Sequence, residues 1–191
     1  MSFMLVLAMI MTLLPAIPAE ASKNKTACYA GNYKQWSQGQ SAYSEMREVG
    51  CLIVAQAKML YEANINREAS FNPDVWYEWL WSNRCLNNPP SNLYMTDLKG
   101  AVRYASGRGK KLEYLGYWNA DNAQLWYNIR AGYYSIVNVT GHWVLIDNAT
   151  SLSTGKLYIY DSYSRGDKHP TSYPINNQFS WNDSPLSLIH I

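Results

Sequence analysis

The sequence predicts an α+β fold, in which helices come first and antiparallel strands follow. Apolar residues at helical spacing, together with helix caps, occur from Cys51 to Arg130. After Gly132 the pattern changes to runs of β-branched and aromatic residues bounded by Gly and Asn. Helices followed by strands are the order of an α+β domain. The 191 residues suffice for one domain with a core, and the sequence holds neither an internal repeat nor a low-complexity segment.

The centre of this prediction is a helix that begins at Cys51 and runs to about Asn64. Its apolar residues recur at helical spacing and form a wide stripe, which is typical of a buried helix. Gly50 lets the chain turn into the helix at low steric cost. At a helix start, N–H groups and the positive end of the dipole stabilise a thiolate, so Cys51 is a candidate nucleophile. The alternative is a small buried hydrophobe, which is what most free cysteines are.

Caps and stop signals predict three more helices. They are one that follows Asn72 with Pro73 in its first position, a short one from Thr96 to near Gly107, and one from Asp121 to Arg130. Residues 33–40 have neither a helical nor a strand period and are predicted to form a loop. This loop brings Gln35, Gln38 and Gln40 close upstream of Cys51 in the sequence, and a second loop runs through Asn87–Pro90.

Two strands are predicted in the last third of the chain, Tyr134–Asp147 and Lys156–Ser162, with a polar loop over Asn148–Gly155 between them. We take them as a hairpin. Alternation places His142 with the apolar residues of the first strand, and Asp161 with those of the second. The register that aligns these faces sets His142 directly opposite Asp161, with Cβ atoms about 5 Å apart.

A carboxylate at this distance would hold the imidazole in one tautomer. The alternatives are a His–Asp pair of structural use and a register slipped by one residue. Asp147 is excluded as the partner, because it lies on the opposite face and about 17 Å along the strand from His142. Cys51, His142 and Asp161 would then be a nucleophile, a base and the group that orients the base.

Composition and cysteine count narrow the function further. A formal net charge of +2 with scattered Lys and Arg does not indicate a nucleic-acid partner. No cofactor is expected, and a metal site is not predicted because no Cys/His cluster has ligand spacing. His169, in the loop after the second strand, is predicted to be a surface residue.

The sequence has three cysteines, and an odd number in a secreted chain leaves one thiol unpaired. If Cys51 is the unpaired thiol, Cys28 and Cys85 can form a disulfide.

Both ends of the chain are predicted to lie outside the fold. Residues 1–21 combine an apolar run with a small-residue cleavage site that ends at Ala21, which is the pattern of a secretory signal peptide. Residues 186–191 look like a translated sequencing-library adapter rather than natural sequence. We therefore expect a secreted domain over residues 22–185, with no membrane attachment after signal cleavage.

Four stretches of the chain together resemble a known family. These stretches are Gln35-Trp36, Gly50-Cys51 with its helix, Gly141-His142-Trp143 and Leu157–Asp161. They resemble the papain-like cysteine peptidases of family thirty-nine, and more closely the secreted, stand-alone thirty-nine-like domains that are relatives of bacteriocin-leader peptidases. The resemblance covers residues 33–164 and implies a papain-like fold, with a Cys-bearing central helix packed on a small antiparallel sheet.

The resemblance also implies roles for single residues. Cys51 would be the nucleophile, His142 the base, Asp161 the orienting residue and Gln35 the side-chain donor of the oxyanion hole; Gln38 and Gln40 compete with Gln35. Leu52 follows the cysteine where the leader peptidases have glycine, which argues against double-glycine leader specificity. The expected activity is hydrolysis of an amide bond in a peptide or protein. The alternatives are a cell-wall peptide hydrolase of the same clan and a non-catalytic module that binds a peptide or glycan.

Overall fold

The computed structural model describes residues 23–29, 31–86, 98–119, 121–163, 168–170 and 175–183. The predicted signal peptide, the 186–191 segment, the Asn87–Pro90 loop and the Thr96 cap lie outside the described residues. The described part confirms the α+β class, because it contains six α-helices and one six-stranded antiparallel sheet. None of its helices is long and apolar enough to cross a membrane.

The helices precede and flank the sheet. They are α1 (Ser44–Val49), α2 (Cys51–Glu62), α3 (Pro73–Ser82), α4 (Gly100–Gly107), α5 (Asn122–Arg130) and α6 (Asn148–Thr154). The strands are β1 (Glu113–Asn119), β2 (Tyr134–Val139), β3 (His142–Ile146), β4 (Tyr158–Tyr160), β5 (Lys168–Pro170) and β6 (Ile175–Asn182). They form the sheet in the order β1-β6-β2-β3-β4-β5, so the last strand in sequence inserts between the first two.

The prediction of a central helix is confirmed by α2. Every residue of α2 from Cys51 to Leu60 is buried. The helix packs against β2 and β3 of the sheet and against α3, and it forms the middle of the larger core. The predicted Asn72 cap of α3 and Asp121 cap of α5 are confirmed as well, since each side chain accepts hydrogen bonds from the first main-chain N–H groups of its helix.

The predicted strand Tyr134–Asp147 is wrong as a single element. It is a hairpin, in which β2 and β3 are joined by a turn at Thr140 and Gly141. Both turn residues have positive φ, 49° and 81°, and the side chain of Asn138 accepts a hydrogen bond from the N–H of Gly141. A β-branched residue such as Thr140 rarely adopts positive φ, so the pattern carried no turn signal at that position.

The predicted loop Asn148–Gly155 is also wrong, because this segment contains α6. Asp147 caps the helix through its side chain, which accepts hydrogen bonds from Thr150 N and Oγ1, and Gly155 ends it with φ 67°. The residues of α6 are mostly Ser, Thr and Asn, which favour turns and caps over helix interiors. His169 is not in a loop either, since it lies in β5 opposite Ile159.

The predicted disulfide between Cys28 and Cys85 is wrong, since all three cysteines are free. Cys28 is exposed and its thiol donates to Gln40 O at 3.6 Å. Cys85 is fully buried, with Arg103 Nη2 at 2.7 Å from its sulfur. The two thiols therefore lie in different surroundings, and Cys85 is not accessible to a partner from the surface.

Gly50 joins α1 to α2, and the structure gives a different reason for glycine from the one we predicted. Its φ of −79° suits any residue. A Cβ atom, however, would lie 2.3 Å from Met46 O and 2.8 Å from its Sδ. Gly50→Ala should destabilise the protein by about 3 kcal/mol, because main-chain atoms must move to make room. Chemical denaturation measures this, and an unchanged midpoint would contradict the close approach.

A buried carboxyl predicts a pH-dependent stability. Burial raises the pKa of Glu62 to about 7, with Asp147 adding to the rise and Lys34 and Arg67 opposing it. Because an unfolded glutamate titrates near pH 4.3, the stability that the neutral carboxyl supplies is complete below that pH and is lost as the pH rises through about 7. Glu62→Gln should therefore raise the free energy of unfolding at pH 8 by up to about 3 kcal/mol and change it little at pH 4. Equal effects at both pH values would contradict this assignment.

Candidate active site

Cys51 is the first residue of α2 and lies at the junction with α1. It is buried, with 7% of its surface exposed. In an unbroken helix its N–H would donate to Arg47 O, and that of Leu52 to Glu48 O. At this junction both carbonyls instead accept from Gln38 Nε2, at 2.7 and 3.2 Å. The first N–H groups of a helix have no intrahelical partner, so those that open α2 can serve as donors.

The β3–β4 pairing explains how Asp161 reaches His142. Leu145 pairs with Tyr160 and Ile146 with Ile159, so the register differs by two residues from the predicted one. An even shift leaves every side chain on its predicted face, which is why Asp161, the residue after β4, still lies diagonal to His142. His142 Nε2 and Asp161 Oδ1 are 2.7 Å apart, and the predicted hydrogen bond is confirmed.

His142 links Asp161 to the cysteine. The Cys51 side chain lies close enough to the ring to raise the pKa of His142, and about a quarter of the His142 side chain is exposed. Burial of the ring lowers the pKa of His142, but the hydrogen bonds and the negative charges of Asp161 and Cys51 outweigh burial and raise it to about 9. The imidazolium form is therefore favoured at neutral pH.

The segment after β4 is held in place by main-chain contacts. Asp161 Oδ1 also accepts a hydrogen bond from the N–H of Tyr163 at 2.7 Å. Asp161 O accepts from Lys58 Nζ at 2.7 Å, and Ser162 O accepts from the N–H of Gln38 at 2.8 Å. The Tyr163 ring, which is largely exposed, meets the His142 ring edge to face at 5.7 Å. This segment therefore fixes the carboxylate and also presents an aromatic ring beside His142.

The structure does not bring Gln35 into this set of residues. Gln35 ends a 3₁₀ turn over Tyr33–Gln35 and its side chain is exposed, whereas the adjacent Trp36 is buried. Gln38 is the glutamine that reaches the Cys51 junction. Sequence reasoning named Gln38 only as a competitor for the donor role, and its contact with the two α1 carbonyls follows from tertiary structure alone.

Asp147 does not compete with Asp161. It is almost fully buried and caps α6, and it adds to the effect of burial in raising the pKa of Tyr160. The exclusion of Asp147 as partner of His142 agrees with these contacts. Within the described residues no group of three or more His, Cys, Asp and Glu side chains is arranged to hold a metal ion.

A concave feature lies near the other end of α2. It is a pocket of about 430 Å³, lined by Gly31, Asn32, Tyr33, Trp36, Tyr61, Glu68, Ala69 and Phe71. The Tyr33 and Tyr61 rings stack at 4.7 Å, and Trp36 meets Tyr61 edge to face at 5.5 Å. Tyr61 comes ten residues after Cys51, which is about 15 Å along the helix. The aromatic pocket is thus separate from the cysteine.

Comparisons of the chain with protein-family models, with curated proteins and with solved structures found no match. We therefore infer function from the residues of the site itself.

Proposed function

We propose that this protein is a secreted, papain-like cysteine peptidase that cleaves a peptide bond through Cys51, His142 and Asp161. One observation carries the proposal: His142 is hydrogen-bonded to the Asp161 carboxylate and lies close enough to the helix-start Cys51 for that side chain to raise the pKa of His142. A nucleophile, a base and a group that orients the base are the parts that acyl transfer requires. In this proposal α2 is the central helix of a papain-like fold and β2–β4 supply the sheet behind it.

The proposed reaction has two halves. The Cys51 thiolate attacks the substrate carbonyl carbon, the C–N bond breaks, and the leaving nitrogen takes the proton from the His142 imidazolium. The product is an acyl-enzyme on the Cys51 sulfur. His142, now neutral, accepts a proton from water as the water attacks the thioester, and the acid leaves. Asp161 keeps the ring oriented throughout and stabilises its charged form.

The oxyanion is assigned to the start of α2. The Cys51 N–H is a donor at the positive end of the helix dipole, and the Gln38 amide occupies the carbonyls that would otherwise accept from this helix start. The family resemblance suggests the exposed Gln35 as the side-chain donor of the oxyanion hole, and this role stays a prediction.

Paired variants of the two glutamines test this assignment. Gln38→Leu should lower turnover by roughly 10- to 1,000-fold, because the freed Arg47 and Glu48 carbonyls can then accept from the N–H groups at the start of α2, and losing one oxyanion donor costs up to that much in comparable sites. Gln35→Leu should lower turnover less, because its side chain is exposed. Steady-state rates measure both effects, with circular dichroism as the control for folding. A larger loss of turnover in Gln35→Leu than in Gln38→Leu would identify Gln35 as the side-chain donor of the oxyanion hole.

Digestion of a peptide library tests the proposed function itself. The purified domain should generate new amino termini at a preferred sequence, and mass spectrometry identifies them. Bacterial cell-wall stem peptides belong in the same assay, because cleavage of these alone would favour the cell-wall hydrolase.

The aromatic pocket favours a second candidate function, a module that binds a peptide or a glycan without cutting it. Tyrosine and tryptophan rings offer amphipathic surfaces that suit such ligands. Retention of library peptides or oligosaccharides without any cleavage, in protein with an intact Cys51 thiol, would support this module and contradict the peptidase.

A further inference from the structure

Lys58 is a buried lysine in the helix that carries Cys51. It is fully buried, although Lys is among the residues least often found in a core. Its ammonium group donates to the main-chain oxygen of Asp161 at 2.7 Å. Burial of an ammonium group is unfavourable by several kcal/mol before compensation, and a Met or Leu would fill the same position without that penalty. A lysine here therefore calls for a reason beyond packing.

Building on the proposed function, we propose that Lys58 is a positioning residue, which sets the place of Asp161 and thereby the orientation of His142. Lys58 follows Cys51 by seven residues, which is two helical turns. The two side chains therefore leave α2 on nearly the same side, about 10 Å apart along the axis. One rigid helix thus carries the nucleophile and also holds the residue that orients its base.

The contact between Lys58 and Asp161 lies where a small displacement of the main chain would change the hydrogen bond between Asp161 and His142. Asp161 directly follows the short strand β4, so its backbone lies outside the named strands. Its Oδ1 atom is 2.7 Å from His142 Nε2, and a main chain that moved by 1 Å would break this hydrogen bond. Among the described residues, the titratable groups that face His142 are Cys51 from α2 and Asp161 and Tyr163 from the segment after β4. Losing the Lys58 contact should therefore act on His142 through Asp161.

The test is the pH profile of Cys51 alkylation in Lys58→Met. Iodoacetamide is the probe, and the Cys51 peptide is followed by mass spectrometry at pH 6.5 and pH 9.5. The ratio of the rate at pH 6.5 to the rate at pH 9.5 in the wild-type protein is the reference. In Lys58→Met the ratio of the two rates should fall at least fivefold. Lys111→Met, at an exposed lysine, is the matched control and should keep the wild-type ratio.

A double variant shows whether Lys58 acts through Asp161. Adding Lys58→Met to Asp161→Asn should not lower the ratio of the two rates any further, because the Asp161 carboxylate through which Lys58 acts on His142 is already absent. A folded Lys58→Met protein with the wild-type ratio would overturn the proposal, even where Asp161→Asn lowers the ratio and the peptidase assignment stands. If Lys58→Met does not fold, the same ratio is measured in Lys58→Leu, and it should fall at least fivefold there too. Failure of both to fold would also overturn the proposal, because Lys58 would then be a structural residue.

Discussion

Cys51→Ala should reduce peptide-bond hydrolysis to background, a loss of about 10⁴-fold or more, while the fold is kept. The sulfur is the nucleophile that forms the acyl-enzyme in the proposed mechanism. Alanine is the best helix former and is smaller than cysteine, so α2 should still begin at this position. Release of new amino termini measures the activity, and thermal unfolding should give a similar midpoint for both proteins.

Cys28→Ala is the matched control for this experiment. Cys28 is exposed and lies in the lead-in to the fold, so this variant should keep full turnover. Wild-type turnover in Cys51→Ala would show that the cysteine is a packing residue and that the proposed mechanism is wrong. Loss of activity in both variants would point instead to a thiol requirement that is not specific to Cys51.

Asp161→Asn should lower turnover by about 10²- to 10⁴-fold without unfolding the protein. The amide is neutral and can present its NH₂ group to His142 Nε2, which sets the wrong tautomer and removes the stabilising charge. The pKa of His142, which the hydrogen bond to Asp161 helps to raise to about 9, should fall. The alkaline limb of the pH–rate profile should therefore move below pH 9 in Asp161→Asn.

Asp147→Asn is the control for Asp161→Asn, because it makes the same chemical change at a nearby buried carboxylate. Asp147 caps α6, so its substitution should lower the free energy of unfolding by about 1 kcal/mol. Turnover per folded molecule and the alkaline limb should stay unchanged. Equal losses of turnover in the two variants would contradict the orienting role of Asp161.

The helices were predictable because their signals are local. The stripe of α2 and the caps Asn72 and Asp121 lie within a few residues of the structure that they determine. The strands β1 and β6, which lie together at one side of the sheet, were not predicted. β6 is rich in Asn and Gln and β1 contains Gly116, so neither resembles an isolated strand. They are strands because β6 pairs with β2 in the sheet and β1 pairs with β6, and such tertiary context overrides β-propensity.

The candidate catalytic residues were easier to predict than the residues that hold them in position. Cys51, His142 and Asp161 were found from residue type, helix position and strand alternation, and the two-residue register error left the side chains on their predicted faces. Gln38 and Lys58 could not be found in that way. Their contacts join residues 9 and 103 positions apart, and no sequence period marks such pairs.

The central claim is that Cys51 and His142 form one ion-paired unit, and the most direct test is the rate of Cys51 alkylation against pH in the wild-type protein and in His142→Ala. We expect the variant to react at least tenfold more slowly at pH 7, where His142 is protonated in the wild-type protein. The difference should disappear above about pH 9, where the imidazolium loses its proton. Equal rates for the two proteins across the whole range would contradict the claim.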